Sequence, residues 1–284
     1  MKNISVLFLS LSLFFAFCGN TDQPIKAATK VNKISVIDTN GMTVRERFLL
    51  PEGFERVLVA ANSFQHYLRN LPLKPAASKV YLFNGHEKYR QDVHAAVVDM
   101  DVGSRDLQQC ADAVMRLRAE YLFSEKKYGE IHFDFTNGFN AAYKKWREGS
   151  RISVKGNTVK WVSSPNSSTS YNSFRKYMDM VFAYAGTWSL AKEMKPTEPE
   201  KMEIGNVFIK GGSPGHAVIV VDMAVNKKTG KKIFLLAQSY MPAQDIHILK
   251  NPNKKGMNAW YDLDFGEILN TPEWRFQKNE LKRF

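Results

Sequence analysis

The strongest pattern along the chain is a set of apolar runs of strand length in its second half. Residues 206–210 and 216–224 are two such runs, separated by the glycine-rich segment 211–215. After a polar turn at 226–230, residues 231–240 form a third run. Apolar runs of this length, bounded by turn residues, are typical of buried strands. They predict an antiparallel meander late in the chain.

Helical spacing dominates the pattern upstream of the meander. Apolar residues three and four apart predict one long helix over 106–123 and a second over 171–193. Shorter elements are predicted around them: strands at 33–38, 79–83, 95–102 and 130–135, a hairpin at 152–155 and 158–162, and short helices at 63–72 and 139–146. We therefore predict the α+β class, with early helices packed on a late antiparallel sheet in one domain over 33–284.

The first 17 residues have the layout of a signal peptide. Lys2 precedes an uncharged apolar stretch over 4–17, which is too short to be a dependable transmembrane helix. Cys18 then stands where a bacterial lipoprotein carries its acylated first residue, and 18–32 is expected to be a tether. The alternative is an ordinary signal peptide cut later, after Ala27-Ala28. In both cases we expect an exported protein, either anchored to the membrane through Cys18 or free in the periplasm or medium.

Composition and charge narrow the class of partner. The chain has 284 residues, 44% of them hydrophobic, which excludes a disordered chain. Its 40 Lys and Arg against 28 Asp and Glu give a net charge of +12, so cell-wall polymers and anionic lipid are expected partners. Export argues against nucleic acid. The sequence has no phosphate loop, dinucleotide fingerprint or pair of spaced metal ligands, so we expect no cofactor and no metal.

Cys110 is the first candidate for chemistry. Asp106 and Gln109, three residues apart, fit a capping box, which places Cys110 in the first turns of the predicted helix. A helix N-terminus favours a thiolate, the form that acts as a nucleophile. The alternative is a core residue, because Cys110 shares an apolar stripe with Leu107 and Val114. A free thiol in an exported protein needs a reason, and Cys18 is either lipidated or removed.

His216 is the second candidate, because it opens an apolar strand directly after the glycine-rich segment. With the turn centred on 227–228, the hairpin register places His216 opposite Ser239, with Gln238 one step away. A polar residue there could orient the imidazole, Gln238 first, with Ser239 or Asp222 as substitutes. The alternatives are a histidine bonded to backbone and a buried amide that braces the sheet.

The order of these residues resembles the papain-like cysteine peptidases, in the layout of the NlpC and CHAP cell-wall hydrolases. Segments 205–209 (Gly-Asn-Val-Phe-Ile) and 215–220 (Gly-His-Ala-Val-Ile-Val) are similar to their motifs, and the resemblance covers about 100–245. It implies that Cys110 attacks an amide carbonyl, that His216 transfers the proton and that Gln238 orients His216. The N–H of Cys110 would form an oxyanion hole with the side chain of Gln108 or Gln109, with Gln108 preferred if Gln109 is in the capping box.

At the level of the whole chain, the sequence resembles an uncharacterised bacterial family, domain of unknown function family 4846. Three stretches carry the resemblance: 67–74 (Tyr-Leu-Arg-Asn-Leu-Pro-Leu-Lys), 106–113 (Asp-Leu-Gln-Gln-Cys-Ala-Asp-Ala) and 236–244 (Leu-Ala-Gln-Ser-Tyr-Met-Pro-Ala-Gln). It implies an exported envelope protein without an established activity. Two hypotheses follow: a thiol hydrolase that cleaves an amide bond, with cell-wall peptide as the expected substrate, or a non-catalytic envelope binding or assembly protein with Cys110 in the core.

Overall fold

One large antiparallel sheet organises the part of the chain described by the computed structural model, residues 36–165, 167–254 and 258–284. The predicted signal peptide (1–17), the tether with Cys18, and the first half of the strand predicted at 33–38 lie outside these residues. The strands are β1 (Phe54–Arg56), β2 (His94–Val97), β3 (His132–Asp134), β4 (Asn140–Ala142), β5 (Ser150–Lys155), β6 (Thr158–Ser163), β7 (Lys195–Pro196), β8 (Val207–Lys210), β9 (His216–Asn226), β10 (Lys232–Gln238), β11 (His247–Leu249), β12 (Tyr261–Asp262), β13 (Ile268–Asn270), β14 (Arg275–Gln277) and β15 (Leu281–Arg283). The α-helices are α1 (Val44–Arg47), α2 (Phe64–Arg69), α3 (Cys110–Ser124), α4 (Tyr143–Arg147), α5 (Tyr171–Tyr184) and α6 (Thr187–Glu193).

The sheet has the strand order β2-β11-β10-β9-β8-β15-β7, with β1 added beside β9 and β12 beside β10. The pairs described are all antiparallel, and β3–β4, β5–β6 and β13–β14 form separate hairpins. Helix α3 lies against β9 at the centre of the sheet. The α+β prediction and the meander β8–β9–β10 are therefore confirmed.

The predicted register of the β9–β10 hairpin is wrong. Ala237 pairs with Ile219, so an extension of the ladder would place His216 opposite Tyr240 rather than Ser239. Two local features set the observed register. The side chain of Asn226 accepts the N–H groups of Lys228 and Thr229 and widens the turn, so that Lys232 pairs with Val225, two positions beyond the prediction. A bulge after Leu235 then moves the pairing back by one position.

Both long helices differ from the prediction at one end or in the middle. Helix α3 begins at Cys110 instead of residue 106, because the Asp106 carboxylate accepts the N–H of Ala243 at 2.6 Å and is committed to a distant segment. Asp112 takes the capping role instead, with its Oδ2 3.0 Å from the N–H of Gln109. The helix predicted over 171–193 is broken after Tyr184, where two extended residues separate α5 from α6.

Several short elements also differ from the prediction. Residues 79–83 form isolated bridges rather than a strand. The predicted strand 95–102 is the shorter β2, and the predicted helix 139–146 is the strand β4 followed by α4. The hairpin β5–β6 and the helix α2, capped by Ser63, are confirmed. In the described part of the chain, none of the helices has both the length and the apolar character that crossing a bilayer requires.

Candidate functional site

An open cleft of about 680 Å³ lies at the N-terminal end of α3. Its walls come from residues in four segments, 106–112, 182–187, 212–216 and 240–241, together with Trp274. The break between α5 and α6 creates one wall, because a continuous helix would not expose the extended backbone of Gly186 there. The cleft therefore depends on the feature that the helical spacing did not predict.

Cys110 is the first residue of α3 and is half-buried in the wall of this cleft. Burial raises the pKa of its thiol to about 11, and the neighbouring Asp112 adds to the rise. The N–H groups of Ala111, Ala217 and Cys110 itself act in the opposite direction. Burial therefore outweighs the effect of the helix N-terminus, which by itself favours the thiolate.

The contact with the N–H of Ala217 brings the sulfur of Cys110 to the head of β9, next to His216. His216 is 1% exposed and lines the same cleft. Its Nε2 lies 2.9 Å from Oε1 of Gln238. Burial lowers the pKa of His216 to about 4, with Lys88 adding to the fall and Gln238 opposing it, so the ring is neutral at pH 7.

Packing fixes the plane of the His216 ring. Three aromatic rings surround it, with centroid distances of 4.9 Å to Tyr240, 5.3 Å to Trp274 and 5.8 Å to Phe276. The preceding Gly215 leaves no room for a side chain, because an added Cβ would lie 2.5 Å from Oγ1 of Thr187. The glycine before the histidine is thus explained by the close approach of α6.

The structure places Gln108 and Ser239 outside the lining of the cleft and Gln109 in its wall. Gln108 is 1% exposed, does not line the cleft, and its Oε1 accepts from Arg116 at 2.7 Å. Ser239 is fully buried and donates to the carbonyls of Gln108 and Gln244, so it braces the loop before α3 rather than His216. Gln109 does line the cleft, where its side chain donates to Asp106 at 3.1 Å. The preference for Gln108 as an oxyanion donor is therefore not supported, and Gln109 is the glutamine within reach.

The first turn of α3 also supplies backbone donors. Ala113 is the first residue of the helix whose N–H bonds within it, to the carbonyl of Gln109. The N–H groups of Cys110 and Ala111 point out of the helix end beside the thiol. Both N–H groups contact the thiol of Cys110 and lower its pKa against the effect of burial.

The charge of the cleft differs from that of the chain. Among the residues that line it, Asp106 and Asp112 are the acidic ones, and lysine and arginine are absent from the lining described. Asp112 is buried, its Oδ1 has no hydrogen-bond partner among the described residues, and burial raises its pKa well above the usual range. Sequence reasoning missed this residue, although its place in the first helical turn was a usable signal.

The other residues weighed from the sequence lie elsewhere. Asp222, a substitute for Gln238, is fully buried between Arg56 and Arg69. Trp274, in the cleft wall, was missed because no local pattern connects it with His216, 58 positions earlier in the chain. Within the described residues, no three His, Cys, Asp or Glu side chains are grouped as ligands of a metal ion would be.

The raised thiol pKa predicts a steep pH dependence of Cys110 alkylation. Below a pKa of about 11 the thiolate fraction rises roughly tenfold with each pH unit, and the thiolate is the reactive form. We expect the rate with iodoacetamide to follow that slope from pH 7 to roughly pH 10. Peptide-level mass spectrometry, which distinguishes Cys110 from Cys18, measures it. A rate independent of pH above pH 6 would show that a thiolate exists at rest.

Comparison with known proteins gives one match. The model of a family described as a domain of unknown function (4846) matches residues 44–283, which covers the sheet, the helices and the cleft. No curated protein and no solved structure matches the chain.

Proposed function

We propose that this chain, which belongs to the family described as a domain of unknown function (4846), is a papain-like thiol hydrolase that cleaves an amide bond in its cleft. One observation carries the proposal. A cysteine at the first position of a long helix and a histidine whose Nε2 is held by a glutamine line the same open cleft. This leaves Nδ1 of His216 as the ring nitrogen available to the thiol.

The mechanism starts from a neutral pair. The thiol pKa of about 11 and the imidazole pKa of about 4 keep both groups uncharged at pH 7. Proton transfer from sulfur to His216 Nδ1 therefore accompanies formation of the bond between sulfur and the carbonyl carbon. The N–H groups of Cys110 and Ala111, with Gln109 on the same wall, stabilise the oxyanion of the tetrahedral intermediate.

The imidazolium formed in the first step drives the second. Its low pKa makes His216 a strong acid, so it gives its proton to the departing amine as the carbon–nitrogen bond breaks. The product is a thioester on Cys110 and a free amine. Water, deprotonated by His216, then hydrolyses the thioester, which releases the acid and restores the thiol.

The expected substrate is cell-wall peptide. The net charge of +12 suits attachment to an anionic polymer, while the uncharged and acidic walls of the cleft suit a neutral or amine-bearing peptide segment. Exposed Met241, in the wall of the cleft, offers apolar contact area, and exposed Trp188 follows the lining residue Thr187 in the chain. Export, with a lipid anchor on Cys18, would place the cleft next to such a polymer.

The burial of Cys110 and His216 favours a second candidate function. Cys110 is half-buried at the start of α3 and burial raises the pKa of its thiol, as for an inert structural cysteine. On that basis the protein would be a non-catalytic envelope binding or assembly protein on the same fold, and the cleft would bind without cleaving.

The release of new amines from purified peptidoglycan separates the two functions. We expect the untreated protein to release amino groups continuously, measured by amine derivatisation and mass spectrometry of the soluble fragments. The matched control is the same protein alkylated at Cys110 at pH 9, which keeps its surface charge. If neither sample releases amines above the level without protein while both still bind the polymer, the hydrolase proposal is wrong and the binding function stands.

A further inference from the structure

A chain of buried polar side chains continues from Gln238. The Gln238 amide nitrogen lies 2.7 Å from Oε2 of Glu273 and 3.3 Å from Nε2 of His247. The other carboxylate oxygen of Glu273 pairs with Nζ of Lys88 at 2.8 Å. The side chains of Lys88 and Glu273 are only 7% and 9% exposed, so this ion pair is held inside the protein.

The protonation of His247 follows from its partner on the other side. Its Nδ1 lies 2.9 Å from the backbone carbonyl of Asp245, which can only accept a hydrogen bond. Nδ1 therefore carries the hydrogen, and because burial lowers the pKa of His247 to about 3, the ring is neutral. Its Nε2 then has a lone pair and accepts a hydrogen from Gln238.

Both hydrogens of the Gln238 amide are thus assigned. One goes to the carboxylate of Glu273 and one to Nε2 of His247, so Oε1 of Gln238 must face His216. A carbonyl oxygen only accepts, so Nε2 of His216 carries the hydrogen and Nδ1 carries the lone pair. In the flipped amide, Oε1 would instead face a carboxylate and a lone pair, which is an arrangement of acceptors without donors.

We propose that Glu273 and Lys88 are positioning residues that fix the tautomer of His216 through the amide of Gln238. Glu273 sets the direction of the amide, and Lys88 holds Glu273 in place. The tautomer they select is the one whose Nδ1 can take a proton from Cys110, and this last step rests on the proposed function. With the opposite tautomer, Nδ1 would already carry a hydrogen and could not act as the base.

Exchange of the buried pair reverses its polarity and tests the inference. In the double variant Lys88→Glu and Glu273→Lys, the ion pair remains, but a donor faces Gln238. The amide should then flip, its hydrogens should face His216, and the ratio of Nε2–H to Nδ1–H tautomers should fall by at least about tenfold, the effect of one unpaired buried polar group. Two-bond ¹H–¹⁵N correlation spectra read the tautomer directly, with the signals of His216 assigned from the His216→Asn protein.

A matched control is the same exchange at an exposed pair, Lys79→Glu with Glu87→Lys, which should leave the His216 spectrum unchanged. If the buried exchange prevents folding, the variant Lys88→Met with Glu273→Leu removes the pair and leaves only Nε2 of His247 to orient the amide, and we expect the fraction of the Nδ1–H tautomer to rise above that of the wild-type protein. A wild-type protein in the Nδ1–H form, or a folded buried-pair variant that keeps a pure Nε2–H form, overturns the inference. The spectra need no turnover, so an inactive protein with the expected tautomers would refute the hydrolase alone.

Discussion

Replacement of His216 by alanine is expected to lower kcat for amide hydrolysis by about 10²- to 10⁴-fold, the usual contribution of a positioned general base. The thiol is uncharged at rest, so removal of the group that takes its proton leaves no route to the nucleophile. KM should change little, because His216 is 1% exposed and offers almost no surface to a substrate. Initial rates over a series of substrate concentrations, with the amine product quantified, measure both constants.

The comparison with other variants shows whether the loss comes from the pair. His86→Ala is the matched control, since His86 is an exposed histidine far from Gln238 in the sequence, and it should retain full activity. His216→Ala combined with Cys110→Ala should be no slower than Cys110→Ala alone, because two residues that act as a unit are not additive. A loss of less than about tenfold in His216→Ala would contradict its assignment as the base.

Replacement of Asp222 by alanine is expected to reduce the free energy of unfolding by about 3–5 kcal/mol, the usual cost of one missing partner in a buried ion pair. Asp222 is fully buried, with its two oxygens 2.7 Å and 2.6 Å from Nε of Arg56 and Arg69. Without it, two guanidinium groups between β1, α2 and β9 lose their counter-ion. Urea unfolding followed by circular dichroism gives the difference in free energy.

Asp92→Ala is the matched control for this loss. Asp92 pairs with Arg90 at 2.6 Å, but the two side chains are 66% and 45% exposed. We expect a change within about 1 kcal/mol, because water solvates either partner after the substitution. Equal effects of the two substitutions would show that burial of the Asp222 cluster contributes nothing, and a change below about 1 kcal/mol for Asp222→Ala would contradict the prediction.

Sequence reasoning found what local patterns determine. The strands β8, β9 and β10 were predictable because a strand buried on both faces needs an uninterrupted apolar run. Cys110 and His216 stood out because each is the first residue of a helix or a strand. The first residue of such an element lies next to the ends of the neighbouring elements. Gln238 was found although the register was wrong, because the observed register places it two positions from Tyr240, on the same face of the sheet as His216.

Long-range contacts account for what was missed. The start of α3 was misplaced because Asp106 bonds to Ala243, 137 positions later, and no local signal reports that bond. Lys88 and Glu273 lie far apart in the sequence, and neither lies in a recognisable motif. The break after α5 was hidden because residues on both sides keep the helical spacing of apolar positions.

The burial of Cys110 also determines how fast the thiol is oxidised. Hydrogen peroxide and other oxidants attack the thiolate, and the raised pKa keeps the resting sulfur protonated. The resting protein therefore converts slowly to the sulfenic acid, and its thiol persists with no second cysteine beside it among the described residues. A fully exposed cysteine with an ordinary pKa would be oxidised faster under the same conditions, so the burial that raises the pKa of Cys110 also preserves its thiol.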